Sequence, residues 1–337
     1  MVAAFLCVTS LRAQHRLPSP MHEMFASGIG LTFKQEYIRA DSVAAGLAEM
    51  FPRHPIGALL ALGVLQAQRM DFELEVDEPR WDSLIRIAII HSKEEIDRDA
   101  RSLWGRYFLG VALGYDAYKR SETGEWLGAI SKGMTSAAEF ESVLLDDSLF
   151  FDADLGLGTY KYWKSRKTEF LQWLPFITDE RGLGTEMLKR AITLGEYSRA
   201  PSIVSLAWIY LDAANFDEAE ITARRGLQDY PSNRQLLWIL ASAQMEAGRF
   251  ADAETTCRQL IDGYNAVGLA HPFFEIVWRK NLAECLHRQH KESFASNELL
   301  KIYSARDSTF PRAMQVRAQE ILGSVKKSIV QRQSGVH

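Results

Sequence analysis

Cysteine is scarce in this chain. Three among 337 residues are too few for the disulfide framework of a small secreted domain. Long apolar runs are missing too, since no window approaches the roughly 18–20 residues a membrane-spanning helix needs. Neither charge sign dominates: 39 Lys and Arg face 43 Asp and Glu, a formal net charge of −4. That excludes a global basic field able to gather nucleic acid or an acidic lipid surface. Ten prolines and 22 glycines are fewer than a disordered or fibrous chain carries. Catalytic grammar is also lacking, with no Walker lysine loop, no G-x-S-x-G and no H-E-x-x-H.

What is present is ordinary for a folded protein, 47% hydrophobic and 24% charged, and it repeats. "NFDEAEITARRGLQDYP" begins at Asn215, and "RFADAETTCRQLIDGYN" begins thirty-four residues later at Arg249. Phe216, Ala219, Glu220, Thr222, Arg224 and Tyr230 return as Phe250, Ala253, Glu254, Thr256, Arg258 and Tyr264. The spacing fits two antiparallel helices per unit. Small residues (Ala207 and Ala219, then Ala241 and Ala253) let the helices approach. Gly248 can end the first helix with positive φ, and Pro231 stops the second. One such pair cannot bury its apolar face alone, whereas stacked pairs can.

The same pattern starts early, with Gly28, Tyr37, Ala40 and Pro52 in equivalent places. Between the clear copies, the segments starting at Pro55, Arg80, Ala100, Glu125, Phe150 and Arg181 keep a helical apolar period. Ala283 and Ala295 restore the spacing after an insertion of about eight residues around "NAVGLAHPFF".

This interval and these residues resemble the tetratricopeptide repeat closely. The resemblance covers nearly all of residues 21–304. It implies an all-α, right-handed superhelical solenoid of about seven antiparallel helix pairs with a C-terminal capping helix. Degenerate pairs would occupy 21–199, clear repeats 200–304 and the cap 305–333. The "LGLGTYKYW … RGLGTEMLKRA" section is similar to one in bacterial tetratricopeptide proteins of unassigned function.

Residues 1–14 read as a signal peptide. An apolar run from Val2 to Leu11 is followed by Arg12, Ala13 and Gln14, then by a polar stretch with Pro18 and Pro20. The expectation is export to the periplasm or outer membrane. The alternative is the first helix of a cytoplasmic protein.

The resemblance also implies a binding groove formed by the first helix of each pair. Pro201, Val204, Trp208, Leu211 and Asp212 would face it, then Gln235, Trp238, Ser242, Met245 and Glu246, then Val277, Lys280, Glu284, His287 and Arg288. The first repeat would add His22, Phe25, Ile29, Thr32 and Phe33. Trp208 and Trp238, on adjacent first helices, would form an apolar floor for a peptide or partner helix. The chaperone-docking carboxylate clamp is not expected, because Val204 and Trp208 stand where its Lys and Asn belong.

Tyr160, Lys161, Tyr162, Trp163 and Lys164 could hold an acidic or sugar-like ligand, or could be a half-buried helix with snorkelling lysines. Cys285, His287 and His290 give C-x-H-x-x-H, but Cys285 and His287 point to different sides of a helix and no fourth ligand is near in sequence, which argues against a metal site. Asp152 and Asp154 read as an acidic cap on the following helix. "GLGTY" and "SGIG" read as close helix packing. Cys257 and Cys285 read as small buried fillers, with one bridge between neighbouring helices as the alternative.

The expected function is a non-catalytic scaffold for a protein or peptide partner, without cofactor, metal or nucleic acid. The alternative is a small-molecule-binding subunit of an envelope transport or assembly system. Oligomeric state is not legible.

Overall fold

A computed structural model describes residues 15–72, 77–171, 178–267, 272–303, 316, 319–324 and 327. The expected leader at 1–14 lies outside the described residues. Most of the expected cap at 305–333 does too, although residues 316, 319–324 and 327 are helical. The described residues contain fourteen α-helices and no strand. They are α1 (Met21–Phe33), α2 (Tyr37–Met50), α3 (Ile56–Phe72), α4 (Glu78–Arg98), α5 (Leu103–Glu122), α6 (Trp126–Asp146) and α7 (Ala153–Lys167). The others are α8 (Arg181–Leu194), α9 (Arg199–Asp212), α10 (Phe216–Asp229), α11 (Arg234–Glu246), α12 (Phe250–Ala266), α13 (Pro272–Arg288) and α14 (Glu292–Tyr303).

Local signals set many boundaries. The side chains of Asp77, Ser102 and Asn233 accept backbone N–H bonds at the starts of α4, α5 and α11. Gly124 and Gly248 turn the chain at φ +82° and +74° between the helices they separate. The chain forms two compact units, residues 1–209 and 210–337, and α9 runs across the boundary.

In the first unit, each helix from α1 to α8 packs on the next. The first helices α1, α3, α5 and α7 also touch in a row. The small residues sit where helices come closest. A methyl group on Gly184 would stand 2.5 Å from the Gly158 carbonyl oxygen, and one on Gly158 would stand 2.8 Å from the Gly184 carbonyl oxygen. The two GLG motifs therefore mark the α7–α8 crossing.

The interior of this unit is aromatic. Trp104 stacks on Phe108 and meets Phe150 and Tyr197 edge-on. Tyr197, which follows α8, also lies against Phe25 of α1 at 5.1 Å between ring centroids. Its hydroxyl accepts the Leu17 N–H at 3.1 Å and sits 2.7 Å from His22 Nδ1. Arg16 pairs with Glu196 at 2.8 Å, and His15 reaches Asp147 at 3.3 Å. Residues 15–22 thus bind to the far end of their own unit. Phe25 and Ile29, expected in the groove, are half-buried and pack in part against the unit's core.

Asp152 requires a correction. It sits at the N-cap of α7, yet its side chain makes no capping bond there. Instead it accepts the backbone N–H groups of Tyr197 at 2.9 Å and Ser198 at 2.8 Å, fixing the turn into α9. Asp154 is fully buried. Its Oδ1 accepts from Arg190 at 2.7 Å, while Oδ2 is buried without a hydrogen-bond partner among the described residues. Burial lifts its pKa to about 6 against the pull of Arg190, and nearby Asp152 adds to the rise.

The folded chain therefore holds this proton up to a higher pH than the unfolded chain does. The contribution to stability is present below the usual carboxylate range and is lost as pH rises through about 6. Asp154→Asn should be more stable than wild type by about 1–2 kcal/mol above that pH. The gain should shrink towards pH 4, as read from urea midpoints across the range.

The second unit shows why the repeat conserves its charges. Glu220 is held by Arg224 one turn on, at 2.7 Å, and by Arg249 at 2.8 Å from the turn after α11. Thirty-four residues later, Glu254 is held by Arg258 at 2.8 Å and by Lys291 at 2.8 Å from the turn after α13. These hydrogen bonds outweigh burial and bring the Glu254 pKa down to about 2. Beneath the first clamp, buried Thr256 donates to Gln244 at 2.8 Å, joining α12 to α11. Each clamped carboxylate ties one helix pair to the next.

Candidate functional site

The first helices of the second unit divide into a buried back and a partly exposed front. On α11, Leu236, Leu237, Ile239 and Leu240 are buried. Gln235, Trp238, Ser242 and Met245, spaced three and four apart, keep part of their surface, and Glu246 is exposed. Trp238 meets Trp278 of α13 edge-on at 5.9 Å between ring centroids, which brings the two first helices together. Trp278 is fully buried and forms the wall behind Trp238.

On α13, Val277 is half-buried, and Lys280, Glu284, His287 and Arg288 are exposed. Several of these charges are already engaged. Arg288 donates to Glu284 at 2.8 Å and lies over the Phe250 ring at 5.4 Å. His287 Nδ1 is 2.6 Å from Glu292. Lys280 has no ion-pair partner among the described residues. The face therefore offers an indole, a flexible thioether, one amide and one uncommitted cation. Such a set suits an apolar segment with an acidic group beside it.

The α9 residues are placed less openly. Val204 is buried at 9% exposure and has little surface to offer, while Trp208 and Leu211 are half-buried. Trp208 belongs to the first unit and Trp238 to the second. The ring found edge-on to Trp238 is Trp278, which the sequence reading passed over. Its signal was present: Trp278, Leu282 and Cys285 follow helical core spacing and are all buried.

The aromatic–basic cluster on α7 spends its charges internally. Lys161 and Lys164 grip the two oxygens of Glu180 at 2.5 and 3.0 Å, and Lys161 also lies 3.5 Å from Glu141. Burial opposes ionisation of Glu180, but the two lysines bring its pKa below the usual range. Tyr162 is buried, and its hydroxyl donates to the Ile209 carbonyl at 3.3 Å. Trp163 stands edge-on to Tyr162 at 5.2 Å, and Lys164 lies 6.0 Å from the Tyr160 ring centre. The arrangement fastens α7 to the start of α8.

Elsewhere in the first unit, a cleft of about 230 Å³ opens among α2, α3 and α4. It is lined largely by Ala44, Ala45, Ala48, Gly57, Ala58 and Ala61. His54 and His91 stand in its wall, and burial above all, with Arg98 and His91 adding, lowers the His54 pKa to about 4. That leaves the wall at His54 neutral at physiological pH.

No protein-family model matches the sequence, and no curated protein sequence does. Among solved structures, the chain is similar to a tetratricopeptide repeat protein from Parabacteroides merdae ATCC 43184. The two are 12% identical over 91% of this chain and 98% of that one, with a TM-score of 0.38.

Proposed function

We propose that the chain is a non-catalytic interaction scaffold. Its second unit takes an extended peptide or a helix of a partner protein along the front of α11 and α13. The observation that carries this reading is the partly exposed row Gln235, Trp238 and Met245 on α11, joined through Trp238 to Trp278 of α13, the helix that carries the exposed Lys280. Phe25 and Ile29, at the corresponding places on α1, are half-buried against the core of the first unit. Trp238 and Met245 would supply apolar contact, Gln235 a backbone-directed hydrogen bond, and Lys280 a preference for an acidic neighbour. Export to the bacterial envelope belongs to the same reading. It is supported by the apolar run Val2–Leu11 and by the firm binding of His15, Arg16 and Leu17 just after the expected cut.

A peptide library selected on the full chain should enrich apolar segments flanked by Asp or Glu. Trp238→Leu combined with Met245→Ser keeps a side chain against Trp278 and should weaken a selected peptide at least tenfold, about 1.4 kcal/mol or more. Lys280→Glu should reverse the acidic preference. Equal affinity in a folded double variant, judged by unchanged helical circular dichroism, would move the site off this face.

A further inference from the structure

We infer that Cys257 and Cys285 join as an intrachain disulfide when the protein meets a small disulfide oxidant, stapling α12 to α13. Both side chains are fully buried, and both are free thiols here. The register of the two antiparallel helices brings them opposite each other. On one side, Gln289, one turn past Cys285, donates to Glu254 Oε2 at 3.0 Å and to the Phe250 carbonyl at 3.1 Å. Glu254 lies just under one turn before Cys257. On the other side, Tyr264, two turns past Cys257, stacks on Phe274 with ring centroids 4.7 Å apart and planes 7° apart. Between these two contacts the buried faces carry the two sulfurs.

The sulfurs interact unequally. Hydrogen bonding to Cys285, then burial, holds the Cys257 thiol in its protonated form. The same hydrogen bond favours the Cys285 thiolate. Either cysteine can attack first, and the exchange is the same with Cys285 leading. Its thiolate adds to one sulfur of the oxidant, whose other half leaves as a thiolate. Cys257 then gives up its proton and attacks the Cys285 sulfur, expelling the second thiolate. The protein loses two protons and two electrons, and the oxidant gains them as two thiols. Burial of both sulfurs keeps reagents away from the folded protein, so the bond closes during folding or a local opening of α13. Once closed, it is slow to reduce for the same reason. The pairing depends neither on the binding face nor on the compartment, so it can fail while those readings stand.

The test uses the full chain, unfolded with a reductant and refolded in a reduced and oxidised glutathione mixture. Remaining thiols are then alkylated in denaturant and the peptides weighed. The expected result is a Cys257–Cys285 linked peptide and a guanidinium midpoint above that of the reduced protein. The midpoint difference should vanish in Cys285→Ala. Full alkylation of both cysteines, or their capture by glutathione or by Cys7, overturns the pairing. A linked pair with a lowered midpoint overturns the staple. Cys257→Ala and Cys285→Ala remove little volume and guard against a fold defect being read as a missing bond.

Discussion

Gly184→Ala should destabilise the protein by about 3 kcal/mol, at the upper end for overpacking a tight core. The new methyl would lie 2.5 Å from the Gly158 carbonyl oxygen and 3.0 Å from the Tyr162 backbone nitrogen. Both are main-chain atoms, so no side chain can swing aside, and α7 and α8 must move apart. That movement would loosen fully buried Leu188 and Ala191 as well. Gly182 is the matched control, on the same helix two residues earlier, where an added methyl meets nothing within 4 Å. Gly182→Ala should be neutral, or stabilising by up to about 1 kcal/mol, through helix propensity alone. Chemical denaturation of the two variants decides the matter. Equal stability in both would mean that the crossing is not the constraint.

The second large effect belongs to Tyr197. Tyr197→Ala should cost about 3–5 kcal/mol, as expected for emptying a large buried aromatic site. It would remove the ring that fills the space between Phe25 and Trp104. It would also leave the Leu17 N–H without its acceptor. Tyr197→Phe keeps the ring and loses only the hydroxyl, so it should cost about 1–2 kcal/mol. Urea midpoints separate the two contributions. A loss below about 1 kcal/mol in the alanine variant would show that residues 15–22 do not support the unit.

The repeat was legible because its small residues have one job. Ala207, Ala219, Ala241, Ala253 and Ala295 are all fully buried at helix contacts. Their regular interval reports that geometry even in a single sequence. Close packing was legible at "GLGTY" and "SGIG" too, where Gly158 and Gly28 leave no room for a methyl. What periodicity cannot report is contact between distant segments. Asp152 reads as a cap on its own helix, but its carboxylate is drawn to backbone N–H groups 45 and 46 residues away. Phe25 occupies a groove position by register, and its contact with Tyr197, 172 residues on, leaves no trace in the local pattern. At the candidate binding face, register placed Gln235, Trp238 and Met245 on one side of α11, and all three keep part of their surface. Trp278 was missed because it stands behind that face rather than on it.

The bond between Leu17 and Tyr197 spans 180 positions of sequence. An open array can begin folding anywhere and loses its ends first, because each element answers only to its neighbours. In the first unit, residues 15–22 answer to the turn after α8 as well. Residues 15–22 can dock only after α8 is in place, so the unit combines cheap local steps with one long-range closure. Loop entropy makes that closure a late, slow event. Once made, it removes the frayed edge from which a repeat protein would otherwise unzip.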